Sequence, residues 1–290
     1  MTDQRSIRKF ELLEMLLTEG KPVSLHELAA RFGVDERTIR RDVDELHRLL
    51  SSARGVEINR GMVVVRRRDF GNGYFSNQLD VNWPVKSAIA RCAVNFLADN
   101  SAIAITAGTT TYAVAQEISR VVRVENRLRD LIVFTNSLPS LLELTGVGLI
   151  IGALGEVYNA DDCAFYSHER TTAFQPTLAI VGASGIVVQS HEGSLDLSSQ
   201  RSEEAASMRQ LLANVPEVMI VADASKIGRR HPWSYTPAGL LRNRRVKLIT
   251  SQLHAEQRDS INGLIRQFRD AGGSLDLFEV EPVNSQPLNK

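Results

Sequence analysis

The sequence predicts an α/β protein in two parts: a winged helix-turn-helix over residues 1–68 and a mostly parallel α/β domain over residues 85–280. Three observations carry this. Ser24 to Val43 reads as two short helices joined by a tight turn at Gly33. Two β runs follow, Val56-Glu57-Ile58 and Met62-Val63-Val64-Val65, joined through Asn59-Arg60-Gly61 as a hairpin wing. Beyond Val85, short apolar runs alternate with amphipathic stretches, the pattern of strands covered by helices. Between the two parts, residues 69–84 read as a linker, glycine-rich at Phe70-Gly71-Asn72-Gly73-Tyr74 and broken at Asn82-Trp83-Pro84. Residues 281–290 read as a loose polar tail.

The first helix of the motif opens on a capping box. Ser24 takes the amide three residues on, and Glu27 reaches back. Leu25, Leu28 and Phe32 form its apolar face, and Gly33 permits the positive φ of a sharp exit. Asp35 is the N-cap of the second helix, and Val34 and Ile39 sit where a hydrophobic staple closes. Ile39, Val43, Leu46 and Leu50 then make a seam. At about 100° per residue, Arg37, Arg41 and Arg48 fall on the opposite side and Arg40 between the faces. A preceding helix presents Ile7, Phe10, Leu13 and Leu17 and ends before Gly20 and Pro22. From Arg37 to Arg68 the basic residues outnumber the acidic ones nine to four, in a chain of zero formal net charge. The bland alternative is a solvated basic face. The capped turn, the staple and the arginine row together favour a surface that meets phosphates and guanine edges. The expected DNA contacts are Arg37, Thr38, Arg40, Arg41 and Arg48, with Arg60 in the wing.

With 290 residues, 43% apolar and 23% charged, the chain has the composition of an ordinary globular protein. Its start lacks the apolar stretch of a signal peptide, and no apolar run approaches the ~20 residues of a membrane span. Cys92 and Cys163 lack metal spacing. No metal, cofactor or membrane partner is expected, and the cytoplasm is the expected location.

In the second part, strands are expected at 102–105, 131–134, 149–151, 178–181, 218–221, 246–249 and 275–278. Helices are expected at 85–97 (Ile89, Ala93, Phe96 and Leu97 inward), 110–118, 138–144, 163–174, 203–212 and 254–268. In open parallel sheets, ligands bind beyond the carboxyl ends of the strands. Those ends are polar here. Thr106-Ala107-Gly108-Thr109-Thr110-Thr111-Tyr112 opens a helix with bare amides and hydroxyls, an anion cradle without the lysine of a Walker loop. Taken alone, Gly108-Thr109-Thr110 reads equally as a plain cap. Thr135-Asn136-Ser137, Gly182-Ala183-Ser184-Gly185 and Asp223-Ala224-Ser225-Lys226 follow three other strands. Four such ends around one crevice favour a small-molecule site, and Lys226 and Lys86 suit a phosphate. His191-Glu192 reads as exposed loop, Asp161-Asp162 as a helix N-cap, and His231-Pro232-Trp233 as a rigid loop over the site or at an oligomer contact.

On these residues the chain resembles the DeoR family of bacterial transcription regulators over nearly its full length. Thr38-Ile39-Arg40-Arg41-Asp42 is similar to that family's recognition-helix hallmark. Lys86, Gly108-Thr109-Thr110, Thr135-Asn136-Ser137 and Ala222-Asp223-Ala224-Ser225-Lys226 resemble landmarks of its sugar-phosphate sensor. The resemblance implies a sensor fold of the ribose-phosphate isomerase type. It also implies a repressor of a carbohydrate or polyol operon, acting on double-stranded operator DNA, controlled by a phosphorylated metabolite and assembled as a homo-oligomer. The effector residues it implies are Lys86, Gly108, Thr109, Thr110, Thr135, Asn136, Ser137 and Lys226, to which the strand-end loop after residue 181 adds Ser184. The chain departs from the family at Thr106 and Ser184, where acids are usual, and at Gly152-Ala153, where two glycines are usual. Isomerase relatives use carboxylates in the later loop as base and acid, which Ser184 cannot replace at neutral pH. The rival readings are an isomerase-like enzyme with a DNA-binding appendage and a regulator that has lost its ligand.

Overall fold

A computed structural model describes residues 8–9, 11–12, 15–16, 22–49, 54–59, 61–67, 70, 73–167, 175–189, 194–236 and 240–282. The chain divides into two compact units, Met1–Phe70 and Gly71–Lys290.

The first unit holds β1 (Val23–Ser24), α1 (Leu25–Phe32), α2 (Glu36–Leu49), β2 (Arg54–Asn59) and β3 (Met62–Arg67). β2 and β3 pair antiparallel in the register Asn59↔Met62, and Gly61 takes the positive φ of the turn. β1, too short to stand out in the sequence, adds to β3 and orders the sheet β1-β3-β2. Leu25, Leu28, Ile39, Val43 and Leu46 pack with Val63 of the wing, so the helices and hairpin share one core. The expected stripe of Ile7, Phe10, Leu13 and Leu17 lies outside the described residues, as does Leu50. Leu12 and Leu16 of the same helical stretch are buried in this core.

The second unit begins with α3 (Tyr74–Leu79) and α4 (Trp83–Val94). The segment expected as linker therefore contains a helix. Phe75 and Leu79 are buried, and the amide of Tyr74 donates to Asp161 Oδ1 at 2.8 Å. Asn82 in the left-handed region turns the chain, and Pro84 sits in the first turn of α4, where its missing N–H costs nothing. Phe96, expected inward, is 37% exposed and lies against Phe278, because α4 ends before it.

Seven strands form the main sheet: β4 (Ala102–Ile105), β5 (Ile132–Thr135), β6 (Ile150–Ala153), β9 (Leu178–Val181), β12 (Glu217–Val221), β14 (Arg245–Ser251) and β15 (Ser274–Val280). All their pairings are parallel, in the order β15-β14-β12-β9-β4-β5-β6. Connecting helices are α5 (Thr109–Glu125), α6 (Leu138–Leu144), α7 (Ser202–Ala213) and α8 (Ala255–Asp270). The chain runs outward from β4 through β5 to β6, then returns to the other side of β4 with β9. The strand order reverses between β4 and β9, and a crevice opens there at the carboxyl ends.

Two features differ from expectation. The helix expected over 163–174 is absent at its start, where β7 (Val157–Asn159) and β8 (Ala164–Tyr166) form a hairpin. Asn159 Oδ1 accepts from the amides of Asp161 and Asp162, and Cys163 is left-handed at φ 50°, so no helix starts there. Asp161 and Asp162 consequently cap no helix, and residues 168–174 lie outside the described residues. The second feature is an antiparallel sheet in the order β10-β11-β13, made of β10 (Gly185–Gln189), β11 (Ser194–Ser199) and β13 (Trp233–Ser234). Every residue of β11 is buried, yet it reads Ser-Leu-Asp-Leu-Ser-Ser because its polar side chains find partners. Ser198 Oγ donates to Gly185 O at 3.2 Å, and Asp196 accepts from the Ser234 hydroxyl. Among the described residues no helix is long and apolar enough to cross a membrane.

Candidate functional site

The helix-turn-helix is built as its residues dictate. Ser24 Oγ accepts from the amide of Glu27 at 3.1 Å. Gly33 closes α1 at φ 62°, and the amide of Val34 bonds Ala29 O. Asp35 Oδ1 accepts from the amide of Thr38 at 2.7 Å, and that bond holds its carboxyl below the usual range. Ile39 and Val43 are buried, while Arg37, Arg40 and Arg41 are exposed on the other side of α2. Thr38 is half-buried, and its hydroxyl as well as its amide turns to Asp35. Arg48 lies within α2 with its side chain outside the description, and Arg60 lies outside the described residues. Asp42 was unforeseen as a structural group. It is buried, and Arg8 Nε binds its Oδ2 at 2.7 Å, while Lys9 pairs with Glu45 at 3.0 Å. Two cation–carboxylate pairs thus tie the preceding helical stretch to the inner flank of α2, leaving the arginine face open.

In the second unit, a cavity of about 400 Å³ occupies the switch point between β4 and β9. It is lined by Lys86, Gly108, Thr109, Thr110, Ser184 and Lys226, six of the nine residues expected at an effector. Gly108 has φ 139°, a conformation open to glycine, and a Cβ there would press on Thr111 Oγ1 at 3.2 Å. Thr111 Oγ1 instead donates to Gly108 O at 3.0 Å and locks the loop. The amides that open α5 thereby face the crevice with the helix dipole behind them. Lys226 stands on a 3-10 turn whose N-cap, Asp223, accepts from the amide and hydroxyl of Ser225. Lys86, buried in α4, donates to Gln78 O at 2.6 Å at the end of α3.

Thr135, Asn136 and Ser137 do not line this cavity. They end and follow β5, which lies on the side of β4 away from the reversal of strand order. Thr135 Oγ1 accepts from Ser137 N, and Ser137 Oγ caps α6 at Ser140 N. Asn136 acts on the cradle from behind. Its Oδ1 accepts from Ala107 N at 2.7 Å while its Nδ2 donates to Phe165 O at 3.1 Å.

The loop after β9 is held from several sides. Thr106 Oγ1 accepts from Gly182 N at 3.2 Å, and Tyr235 donates its hydroxyl to Gly182 O at 2.6 Å. His231 Nε2 bonds Ser184 O at 3.1 Å, so His231 steadies the loop, while Trp233 of β13 pairs with Ser199 of β11 and stays 46% exposed. His191 and Glu192 lie outside the described residues.

The remaining wall was not foreseen. Tyr74, Asp162, Tyr166, Glu204 and Arg229 also line the cavity. Tyr166 donates its hydroxyl to Asp162 Oδ2 at 2.9 Å, and Arg201 Nε meets the same oxygen at 2.7 Å. Glu204 accepts from the Ser199 hydroxyl, and burial, reinforced by the Asp162 charge, pushes its carboxyl up to about 7. Burial also raises the Tyr74 and Tyr166 phenols. No sequence signal marked this wall, because its hairpin read as helix and Glu204 fell inside the helix expected over 203–212.

Residues 82–250 match the DeoR C-terminal sensor domain, and residues 8–61 match a helix-turn-helix domain. The regulator GlpR of Haloferax volcanii is 27% identical over 265 residues, covering 88% of this chain and 93% of its own. A putative aga operon transcriptional repressor of Escherichia coli O157:H7 is 23% identical, covering 77% of this chain and 79% of its own. The regulator IolR of Bacillus subtilis is 24% identical, covering 78% and 85%. Among solved structures, ribose 5-phosphate isomerase from Plasmodium falciparum aligns with a TM-score of 0.37 at 18% identity, over 49% of this chain and 52% of its own. With a helix-turn-helix at its start and the sensor-domain match spanning more than half its length, the chain belongs to the DeoR family of transcription regulators.

Proposed function

We propose that the protein is a repressor of a carbohydrate or polyol operon. It binds double-stranded operator DNA with α2 and the wing, and it answers to a phosphorylated metabolite held in the cavity between β4 and β9. Residues 1–68 carry the DNA-binding part and residues 85–280 the sensing and oligomerising part. The cytoplasm, where the DNA is, is its place of action. Arg37, Thr38, Arg40, Arg41 and Arg48 serve the major groove, and Arg60 the flanking backbone. Lys86, Gly108, Thr109, Thr110, Ser184 and Lys226 serve the effector. The relatives named as regulators, one as an operon repressor, support this reading. Its main support in the chain is the meeting of the Gly108 cradle with Lys226 and Lys86 in one cavity. Binding there shifts the population between states of different operator affinity, and a symmetric homo-oligomer reads repeated half-sites.

The protein acts without turnover. Isomerisation needs a base and an acid on adjacent carbons. The loop after β9 offers Ser184, Asp162 is engaged by Arg201 and Tyr166, and Glu204, the remaining carboxyl described in this wall, is a single group without a second to complete the pair. A gel shift on the promoter of the chain's own operon, titrated with phosphorylated sugars and polyols, tests the whole reading. One such compound is expected to change DNA affinity. A full panel that neither alters the shift nor stabilises the protein would overturn it.

A further inference from the structure

Glu204 stands apart from the cradle in both chemistry and position. It belongs to the first turn of α7, so it reaches the cavity from an element that carries none of the phosphate-binding loops. One of its oxygens, Oε2, is taken by Ser199, whose Oγ in turn accepts from the amide of Arg201. The Ser199 proton is therefore committed to Glu204. Oε1 has no partner among the described residues, while the side chain lines the cavity. A carboxyl half-buried in the cavity wall, with one oxygen held and the other free, is poised to meet a ligand atom.

Charges around it decide the form in which it does so. From the β7–β8 hairpin, Asp162 faces it with Tyr166, and the nearby Arg201 is held to Asp162. From α3 comes Tyr74, and beneath lies buried Tyr235. Lys86, Lys226 and Arg229 line the cavity, Asp223 being engaged within its own turn. A phosphate on those cations adds negative charge to a cavity that already holds Asp162, which favours the neutral form of Glu204.

We propose that Glu204 is the specificity-determining residue of the cavity and meets the ligand as a neutral carboxyl. A phosphorylated polyol, bearing a hydroxyl oxygen at that end, enters together with one proton taken from solvent onto Oε1. The O–H on Oε1 then donates to the ligand oxygen. The elevated affinity of Glu204 for its proton near neutrality supports this. The proposal rests on the reading of this cavity as the effector site.

The test uses the full chain and two matched probes, ribitol 5-phosphate and n-pentyl phosphate, which share a phosphate and chain length and differ in hydroxyls. Isothermal titration at about pH 6.5 and about pH 8.5 gives an affinity ratio in which the ionisation of the phosphate itself cancels. In the wild type, ribitol 5-phosphate should bind roughly tenfold tighter at the lower pH, and the advantage should shrink severalfold at the higher. Glu204→Gln, a donor that does not titrate, should keep the advantage at both pH values. Glu204→Ala should lose it at both. A wild-type ratio near one, a ratio independent of pH, or a ratio untouched by Glu204→Ala would overturn the proposal while leaving the phosphate site standing. Failure of both probes and of inorganic phosphate to bind would overturn the effector-site reading, and this proposal with it.

Discussion

Asn136 Oδ1 accepts a hydrogen bond from the backbone amide of Ala107 at 2.7 Å, joining the end of β5 to the start of the cradle that follows β4. The same side chain donates to Phe165 O, and the amide of Phe165 donates to Asn136 O at 2.7 Å. Asn136 is thus a strut between the cradle and the hairpin that carries Asp162 and Tyr166, and it sets both walls of the cavity without lining it. Asn136→Ala should cost about 1–3 kcal/mol of stability, because it leaves a half-buried amide unmet. It should also weaken effector binding. Asn136→Asp, which keeps the acceptor and loses the donor, should fall between. Thermal melts with and without effector check this, and an effector affinity unchanged in Asn136→Ala would remove the strut from the account.

The recognition helix gives a second expectation. Arg40 and Arg41 are exposed and stand opposite the buried seam of Ile39 and Val43, so their loss should leave the fold intact. Arg40→Ala and Arg41→Ala should each weaken operator binding by about 1–3 kcal/mol where the arginine reads a base. Binding should also fall steeply with added salt. A gel shift unchanged by the double substitution would remove α2 from the DNA. Asp42→Ala is the contrasting variant. It should destabilise the DNA-binding unit by breaking the buried pair with Arg8, which melting of that unit would report.

Much of this was legible in the sequence, for identifiable reasons. β4, β9 and α6 fall within the expected spans because buried parallel strands are continuous apolar runs and Ser137 is an explicit cap. The helix-turn-helix was legible because Ser24, Gly33 and Asp35 are local signals that act through their own neighbours. What escaped depends on long-range pairing. β11 is a string of serines and an aspartate whose burial is permitted by long-range partners in β10, Ser234, Thr236 and Glu204. The β7–β8 hairpin hangs on an Asn159 turn and a left-handed Cys163, which periodicity does not reveal. Thr135-Asn136-Ser137 is chemically identical to a binding loop. Only strand order, with β9 beside β4 on the opposite side from β5, moves it away from the crevice. The acidic wall escaped for the same reason, since Glu204 and Asp162 lie far apart in sequence and meet only in the fold.

Glu204 also predicts how stability responds to pH. Its folded carboxyl holds its proton up to about 7, above the usual carboxylate range, chiefly through burial. Below that usual range both folded and unfolded chains carry the proton, and Glu204 costs nothing. As pH rises toward 7 the unfolded chain releases it first, so the wild type loses stability relative to a variant that cannot ionise. Glu204→Gln should match the wild type near pH 4 and exceed it above about pH 7, by at most roughly 3 kcal/mol. Denaturant melts across that range provide the check, and a constant difference between the two proteins would mean that Glu204 ionises in the fold as it does in water.

The cradle itself gives the last expectation. The amides opening α5 and the hydroxyls of Thr109 and Thr110 hold a phosphate by directed hydrogen bonds, and Lys226 adds a point charge from the turn after β12. Thr109→Ala combined with Lys226→Ala removes one donor of each kind without touching Thr111, which locks the loop through Gly108 O. The double variant should therefore fold and bind operator DNA as the wild type does while no longer responding to the effector. At a ligand concentration about 100 times Kd, the wild type should gain roughly 2.7 kcal/mol of stability and the variant almost none. Free amides remain in the variant, so bare phosphate at high concentration should still bind weakly. Equal stabilisation of both proteins by the effector at that concentration would mean that the ligand is held somewhere other than at the carboxyl ends of β4 and β12.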